Sequence, residues 1–319
     1  MSDFDYGRYF GPILPLADAT RAADERVWGD GAEADRQRHD YILYLGCNVL
    51  RTVALAETIV AILKKLEVDF VTLGGPATCC GIVHRGNGDA EPSEKLMRQT
   101  LARFEGYRPK AVLTYCPSCH TQMDYSLSAT GIEFEVPYLH VTEFITRNLQ
   151  RLSFVNRVER RVWLHAHSDN EQARLDAAFA RAILEAIPGL KVVGEPGGSE
   201  WGHDCGARQI SLIGKDVHDR LTAGMFDAAK AAGADAVAAL YHSCYRQFCA
   251  HEADRGIEVV HYTALVAEAL GLPPMEEAYK ALKIESRPAD AAARLKDRAA
   301  ARGLSEKRLR ATLDAHFGK

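Results

Sequence analysis

The sequence predicts an α/β protein built from two tandem, repeated parallel-sheet domains, with an N-terminal arm and a helical C-terminal tail. Three observations carry this. Short β-prone apolar runs alternate with stretches whose apolar residues recur at helical spacing, the pattern of a parallel sheet with helical crossovers. The same alternation then runs a second time. The two copies also keep one interval where it can be read: Cys80 to Cys205 and Cys119 to Cys244 are each 125 positions apart, as expected of a duplicated unit.

Each element follows from its residues. Residues 1–39 read as an arm, with Phe4, Tyr6, Tyr9 and Phe10 as aromatic anchors ahead of a charged, weakly helical stretch. YILYLGC (41–47) is a buried strand, and TVALAETIVAILKKL (52–66) has helical apolar spacing. VDFVTLGG (68–75) is a second strand ending in glycines, and residues 93–107 form a helix with Ser93 as the expected N-cap. KAVLTYC (110–116) is a third strand, PSCHTQMDYSL starts another helix, and residues 134–149 close with a short strand and a helix. The second copy repeats the order: RRVWLHAH (160–167), QARLDAAFARAILEAI, LKVVGEPGGSEWGHDCG (190–206), DAVAALYHSCYRQF (235–248) and IEVVHYTALVAEALGL (257–272). The expected organisation is an arm at 1–39, a first domain at 40–155, a second at 156–272 and a tail at 273–319. The Lys/Arg-rich tail reads as a solvated helix face.

Bulk properties exclude several classes. The chain has 319 residues, is 47% hydrophobic and 26% charged, and carries a formal net charge of −4. That is a globular composition without the basic face of a nucleic-acid binder. No apolar run approaches the roughly 18 residues of a membrane span. The N-terminal stretch lacks a basic segment followed by an apolar one, so the expected location is the cytoplasm.

The eight cysteines are the informative residues. In a reducing compartment they point to metal binding or catalysis rather than to disulfides. Cys47 ends the first strand, 31 residues separate it from the Cys79–Cys80 pair, and 35 residues separate Cys80 from the C-x-x-C of Cys116 and Cys119. Loops after successive parallel strands meet at the carboxyl edge of the sheet, so all five thiols are expected to converge there. Cys116 and Cys119 sit at a helix start, where backbone N–H groups favour thiolates. A dithiol redox pair would use two of the five and leave Cys47, Cys79 and Cys80 unexplained. A zinc ion takes four ligands and would leave one cysteine spare. An iron–sulfur cluster offers several iron atoms to thiolates, so adjacent cysteines can reach different irons. Gly74, Gly75 and Gly81 let the backbone approach such a core.

At these residues the sequence resembles the cysteine-rich CCG-domain family, whose pattern is a leading cysteine, a Cys-Cys-Gly and a C-x-x-C. Here it reads Cys47, Cys79-Cys80-Gly81 and Cys116-Pro117-Ser118-Cys119. The resemblance spans both repeats. The family includes the B subunit of heterodisulfide reductase, related components of sulfur-oxidising complexes, and iron–sulfur subunits of lactate and glycolate oxidation systems. The resemblance implies one noncubane [4Fe-4S] cluster held by Cys47, Cys79, Cys80, Cys116 and Cys119, with Gly81 in the binding loop. It also implies thiol/disulfide, persulfide or sulfane-sulfur chemistry, with a ferredoxin-like C subunit and a flavin-bearing A subunit as partners.

The second copy departs from that pattern. Asp204 stands where the first cysteine of the pair belongs, Tyr241 replaces the first cysteine of C-x-x-C, and the leading cysteine is absent. Two of five thiols survive, Cys205 and Cys244, too few for the same cluster. Histidines stand at each of the three loops: His165 and His167, His203, and His242. With Cys205, Cys244 and Asp204 they form a mixed set suited to one zinc or iron ion. The alternative is a relic loop with histidines in ordinary polar contacts. Cys249 reads as core packing.

The leading expectation is therefore an iron–sulfur redox subunit of a heterodisulfide-reductase-like, sulfur-oxidising complex. His120, beside Cys119, is the candidate catalytic residue, because a cation there stabilises a leaving thiolate. His84 and Arg85 are weaker candidates for the same task. The alternatives are an iron–sulfur subunit of a lactate or glycolate oxidation system and a non-catalytic zinc-binding scaffold.

Overall fold

The computed structural model describes residues 2–32, 36–195, 205–285 and 288–317. The chain forms two compact units. One runs up to Val141 and takes in the residues from Glu276 onward; the other is Thr142–Met275.

The first unit is a four-stranded parallel sheet of β1 (Tyr41–Gly46), β2 (Phe70–Gly74), β3 (Ala111–Thr114) and β4 (Tyr138–His140), in the spatial order β2-β1-β3-β4. Ile42, Leu43, Tyr44 and Leu45 are all fully buried. Successive residues of one strand are thus covered on both faces, as in parallel sheets with helices on either side. Full burial of each aliphatic side chain contributes roughly 1.5–3 kcal/mol. The helices are α1 (Tyr6–Phe10), α2 (Ile13–Thr20), α3 (Val53–Lys65), α4 (Ile82–Gly86), α5 (Ala90–Gly106) and α6 (Pro117–Ala129). The helix expected at 93–107 starts three residues earlier, after Asp89 rather than Ser93. Pro92 lies in the first turn, where its missing N–H costs no helical hydrogen bond. Ser93 is instead a buried interior residue whose hydroxyl accepts from Gln122 Nε2.

The arm and tail belong to this unit. Ile13, Leu16 and Ala17 of α2 are fully buried, and Gly29 makes a parallel bridge to Leu73 at the β2 edge. The second unit begins at Thr142, the second residue of α7 (Val141–Arg147).

The second unit has a sheet of the same order and direction: β5 (Arg161–His165), β6 (Lys191–Gly194), β7 (Ala236–Ala239) and β8 (Glu258–His261), arranged β6-β5-β7-β8. Its helices are α8 (Glu171–Glu185), α9 (Ala207–Ile213), α10 (Lys215–Ala231), α11 (His242–Phe248), α12 (His251–Arg255) and α13 (Tyr262–Ala269). The tail helices α14 (Ala278–Glu285), α15 (Pro288–Ala301) and α16 (Glu306–Phe317) return to the first unit. There Arg302 donates to the carbonyls of Asp18 and Arg21, and Arg51 bonds to His316. Among the described residues, no helix is long and apolar enough to cross a membrane.

Candidate metal centres

In the first unit the three loops at the carboxyl edge of the sheet bring the five thiols together. Cys47 directly follows β1, Cys79 and Cys80 follow β2 after the short turn Pro76–Thr78, and Cys116 and Cys119 open α6 after β3. All five are buried and none is in a disulfide. The Cys47 and Cys79 sulfurs are 3.9 Å apart, and the Gly81 N–H donates to Cys79 Sγ at 3.4 Å.

Two glycines are required by geometry. Gly46 has φ +65°, and a Cβ there would stand 2.5 Å from Cys119 Sγ. Gly81 has φ +85°, and a Cβ there would meet the Ser93 carbonyl at 2.5 Å. Both lie in the left-handed region that favours glycine. Tyr44 lies among the thiols, its hydroxyl donating to the Thr78 carbonyl at 2.7 Å. Burial, then the nearby Cys119, Cys80, Cys79 and Cys47 sulfurs, push its phenol well above the usual range.

The thiols share protons. Hydrogen bonds from Cys47 and then Cys80 bring Cys79 down to about 3. Cys47 is pushed well up by its bond to Cys79 and by burial. The bond from Cys119 pulls Cys80 down, but Cys79 and burial outweigh it. Cys119 is pushed up by Cys116 and Cys80. Five buried thiols at one sheet edge therefore need a polycation to become thiolates together, since like charges in a buried site cannot all ionise alone. The donor set, all sulfur and too numerous for one tetrahedral ion, fits an iron–sulfur cluster.

His120 is buried in the first turn of α6. Its Nδ1 shares a 2.8 Å hydrogen bond with Thr114 Oγ1, and its Nε2 is 3.9 Å from Asp124 Oδ2. His84, on the helix after the CCG loop, is stacked under Tyr6 of the arm (4.1 Å between centroids, 5° between planes), and the Arg85 guanidinium lies over the Tyr125 ring. Beside it is a clasp that no sequence pattern signals: Asp89 accepts from the Ser2 amide and hydroxyl and from the Tyr6 hydroxyl.

The second unit assembles a smaller group. His165, His167, Cys205 and Cys244 are all buried, and one ligand atom from each lies within 4.8 Å of the others. His167 Nε2 is 3.1 Å from Cys244 Sγ and 3.7 Å from Cys205 Sγ. Burial opposes ionisation of Cys244, but hydrogen bonding from Cys205 and the charge of His167 bring its thiol well below the usual range. His242 is buried at the start of α11 but is not in this four-residue group. His203 and Asp204 lie outside the described residues. Cys249 is buried in the core, its sulfur 3.9 Å from the Arg246 carbonyl.

Sheet register places His165. Tyr44 pairs with Thr114 in the first sheet, and His165 pairs with Ala239 in the second. His165 thus takes the position that Tyr44 holds among the thiols. Tyr241, in place of a cysteine, turns its hydroxyl to the buried Asp176 at 2.8 Å and sets its ring edge-on to His167. Asp176 also accepts from Thr142 and Gln172. A signal for it is present in the sequence: an acid on the stripe of Ala173, Ala180 and Ile183, the buried face of α8.

Comparison with known proteins agrees with this geometry. Residues 41–124 match the CCG cysteine-rich domain family. The chain is 24% identical over 282 residues to the D subunit of the dihydromethanophenazine:CoB–CoM heterodisulfide reductase of Methanosarcina acetivorans, covering 83% of this chain and 66% of that protein. It is 27% identical over 167 residues to a probable membrane-anchored ferredoxin of Chromohalobacter salexigens, covering 50% of this chain and 25% of that protein. The chain therefore spans about two thirds and one quarter of the lengths of these relatives. A crystal structure of a hypothetical protein from Helicobacter pylori shares the fold, with a TM-score of 0.57, 10% identity, and coverage of 88% of this chain and 57% of that one. Residues 41–124, which carry the first five thiols, thus match the cysteine-rich CCG-domain family.

Proposed function

We propose that the protein is an iron–sulfur redox subunit of a heterodisulfide-reductase-like, sulfur-oxidising complex, formed by duplication of one CCG unit whose second copy has exchanged its cluster for a single zinc or iron ion. The observation that carries the reading is the convergence of five buried thiols at one sheet edge. Cys47, Cys79, Cys80, Cys116 and Cys119 would hold one [4Fe-4S] cluster, of the noncubane type by family resemblance. When bound, it supplies one-electron transfer to sulfur substrates.

The chain's own residues do the rest. The Gly81 N–H donates to Cys79 Sγ, which favours the thiolate there. Tyr44 and the strand core keep water from the thiols. His120, held by Thr114 and near Asp124, can keep a proton close to Cys119 for a departing thiolate. Reducing a disulfide to two thiols consumes two electrons and two protons, so one single-electron centre must be served twice in each turnover. A ferredoxin-like partner and a flavin-bearing partner fit that demand, and the similarity to a ferredoxin and to a heterodisulfide reductase component supports them. Eight cysteines, none of them in a disulfide, suit a reducing compartment such as the cytoplasm.

The test is turnover. Anaerobic protein, co-expressed with its partners, is assayed for disulfide reduction by a reduced viologen dye. Activity that depends on Cys79 and is lost in Cys79→Ser supports the proposal. A deletion strain that loses lactate or glycolate oxidation while keeping sulfur oxidation overturns the sulfur assignment.

A further inference from the structure

We infer that His165, His167, Cys205 and Cys244 form a closed structural zinc site that ties the second sheet's carboxyl edge together without taking part in electron transfer. The inference deepens the two-site proposal above, and its test counts zinc separately from iron.

Compactness comes first. A tetrahedral zinc with Zn–S of about 2.3 Å and Zn–N of about 2.0–2.1 Å sets ligand atoms about 3.3–3.8 Å apart. The four ligand atoms here all lie within 4.8 Å of one another, and His167 Nε2 is 3.1 and 3.7 Å from the two sulfurs. Small rotamer adjustments close the remaining gap. Among the described residues, the five thiols of the first unit form no group of that kind. The second site is the size of one ion, and the first is not.

The donor set comes next. Two imidazoles and two thiolates are a common structural zinc set, and four protein ligands leave no position open for water or substrate. All four residues are buried. A closed, buried site of this kind holds structure rather than binding a substrate.

A separate observation points to a missing ligand. Both ring nitrogens of His165 are buried and neither makes a conventional hydrogen bond. Its ring is packed edge-on against Phe248 and His167, and it faces the Cys244 sulfur rather than an ordinary hydrogen-bonding group. A buried imidazole left unsatisfied costs about 1–3 kcal/mol, and a metal bond removes that cost. The relic reading, histidines in ordinary polar contacts, does not describe His165.

Finally, the ligands come from three separated segments: the end of β5 and the residues just after it, Cys205 two residues ahead of α9, and α11. One ion would therefore connect three loops. Tyr241 fills the space of a lost cysteine, directs its hydroxyl away to Asp176, and supports the His167 ring. The pattern is that of a cluster site rebuilt for a smaller ion.

The experiment is elemental analysis of the full chain purified without oxygen, alongside His167→Ala, Cys244→Ser and His242→Ala. The wild type is expected to hold about one zinc per chain. His167→Ala and Cys244→Ser should lose it at least about tenfold while keeping their iron and sulfide, and His242→Ala should keep it. Cobalt exchanged into the wild type should give the ligand-field and thiolate charge-transfer bands of a tetrahedral S2N2 site. If the ligand variants do not fold, zinc X-ray absorption on the wild type decides: two sulfur and two nitrogen neighbours support the site. No zinc, an all-sulfur or all-oxygen shell, iron in its place, or zinc kept by both ligand variants overturns it. Loss of iron and sulfide from the wild type with zinc retained refutes the cluster proposal and leaves this one standing.

Discussion

Replacing Gly46 with alanine should remove the cluster more than it removes the fold. Gly46 sits at the end of β1 with φ +65°, so a Cβ costs about 1–2 kcal/mol of left-handed backbone strain. The added methyl would stand 2.5 Å from Cys119 Sγ and 3.8 Å from Cys116 Cβ. Ordinary contacts are about 3.5–4.0 Å, so the sulfur must move by about 1 Å or more. Cys119 can do so by rotating about χ1, which saves the fold but withdraws the ligand. If it cannot rotate, overpacking adds about 1–3 kcal/mol. Gly88→Ala is the control: φ is +84°, but nothing lies within 4 Å of its Cβ position, so only the backbone strain applies. Iron and acid-labile sulfide are measured on both, with denaturation midpoints followed by circular dichroism on the same samples. Gly46→Ala should lose most of its iron, while Gly88→Ala keeps it with a modest loss of stability. Equal iron content and equal stability in the two variants would refute the proposed approach of the Cys119 sulfur to the backbone.

Other variants test the rest. Tyr241→Phe removes a bond to buried Asp176 and should cost about 1–2 kcal/mol in urea denaturation while zinc content stays unchanged. The Asp89 carboxylate is brought down to about 2 by hydrogen bonds from Ser2 and then Tyr6, against an unfolded value near 3.9. A lowered carboxylate stabilises above its unfolded pKa, so docking of the arm should hold at neutral pH and weaken as pH falls from about 4 toward 2. Hydrogen exchange of the arm amides would detect this, and Asp89→Asn should show the same loosening at neutral pH. His120→Ala should keep iron and sulfide but lower disulfide turnover by about 100-fold or more; unchanged turnover would rule out a proton-holding role.

Much of the design is legible in the chain. The alternation of strands and helices and the five-cysteine spacing locate both sheets and the convergence at the carboxyl edge, because strand ends in a parallel sheet must meet there. The strand cores agree closely: the run predicted at 41–47 folds as Tyr41–Gly46, and that at 110–116 as Ala111–Thr114. The α5 start escapes the sequence pattern because Pro92 resembles a boundary, whereas the first turn of a helix tolerates it. The second site is legible only as a list of His, Cys and Asp residues. The folded geometry, which no sequence spacing reveals, gathers His165 and His167 with Cys205 and Cys244 and leaves His242 outside that group. The Asp89 clasp and the Asp176–Tyr241 bond join residues 65 or more positions apart, and while the buried stripe of α8 marks Asp176, no local pattern records these partners.

The most direct test is the content of iron and acid-labile sulfide in the full chain purified without oxygen. About four of each per chain, lost in Cys79→Ser or Cys80→Ser, is the predicted result. Zinc alone, with no sulfide in that preparation, would contradict the cluster and turn the protein into a metal-stabilised scaffold.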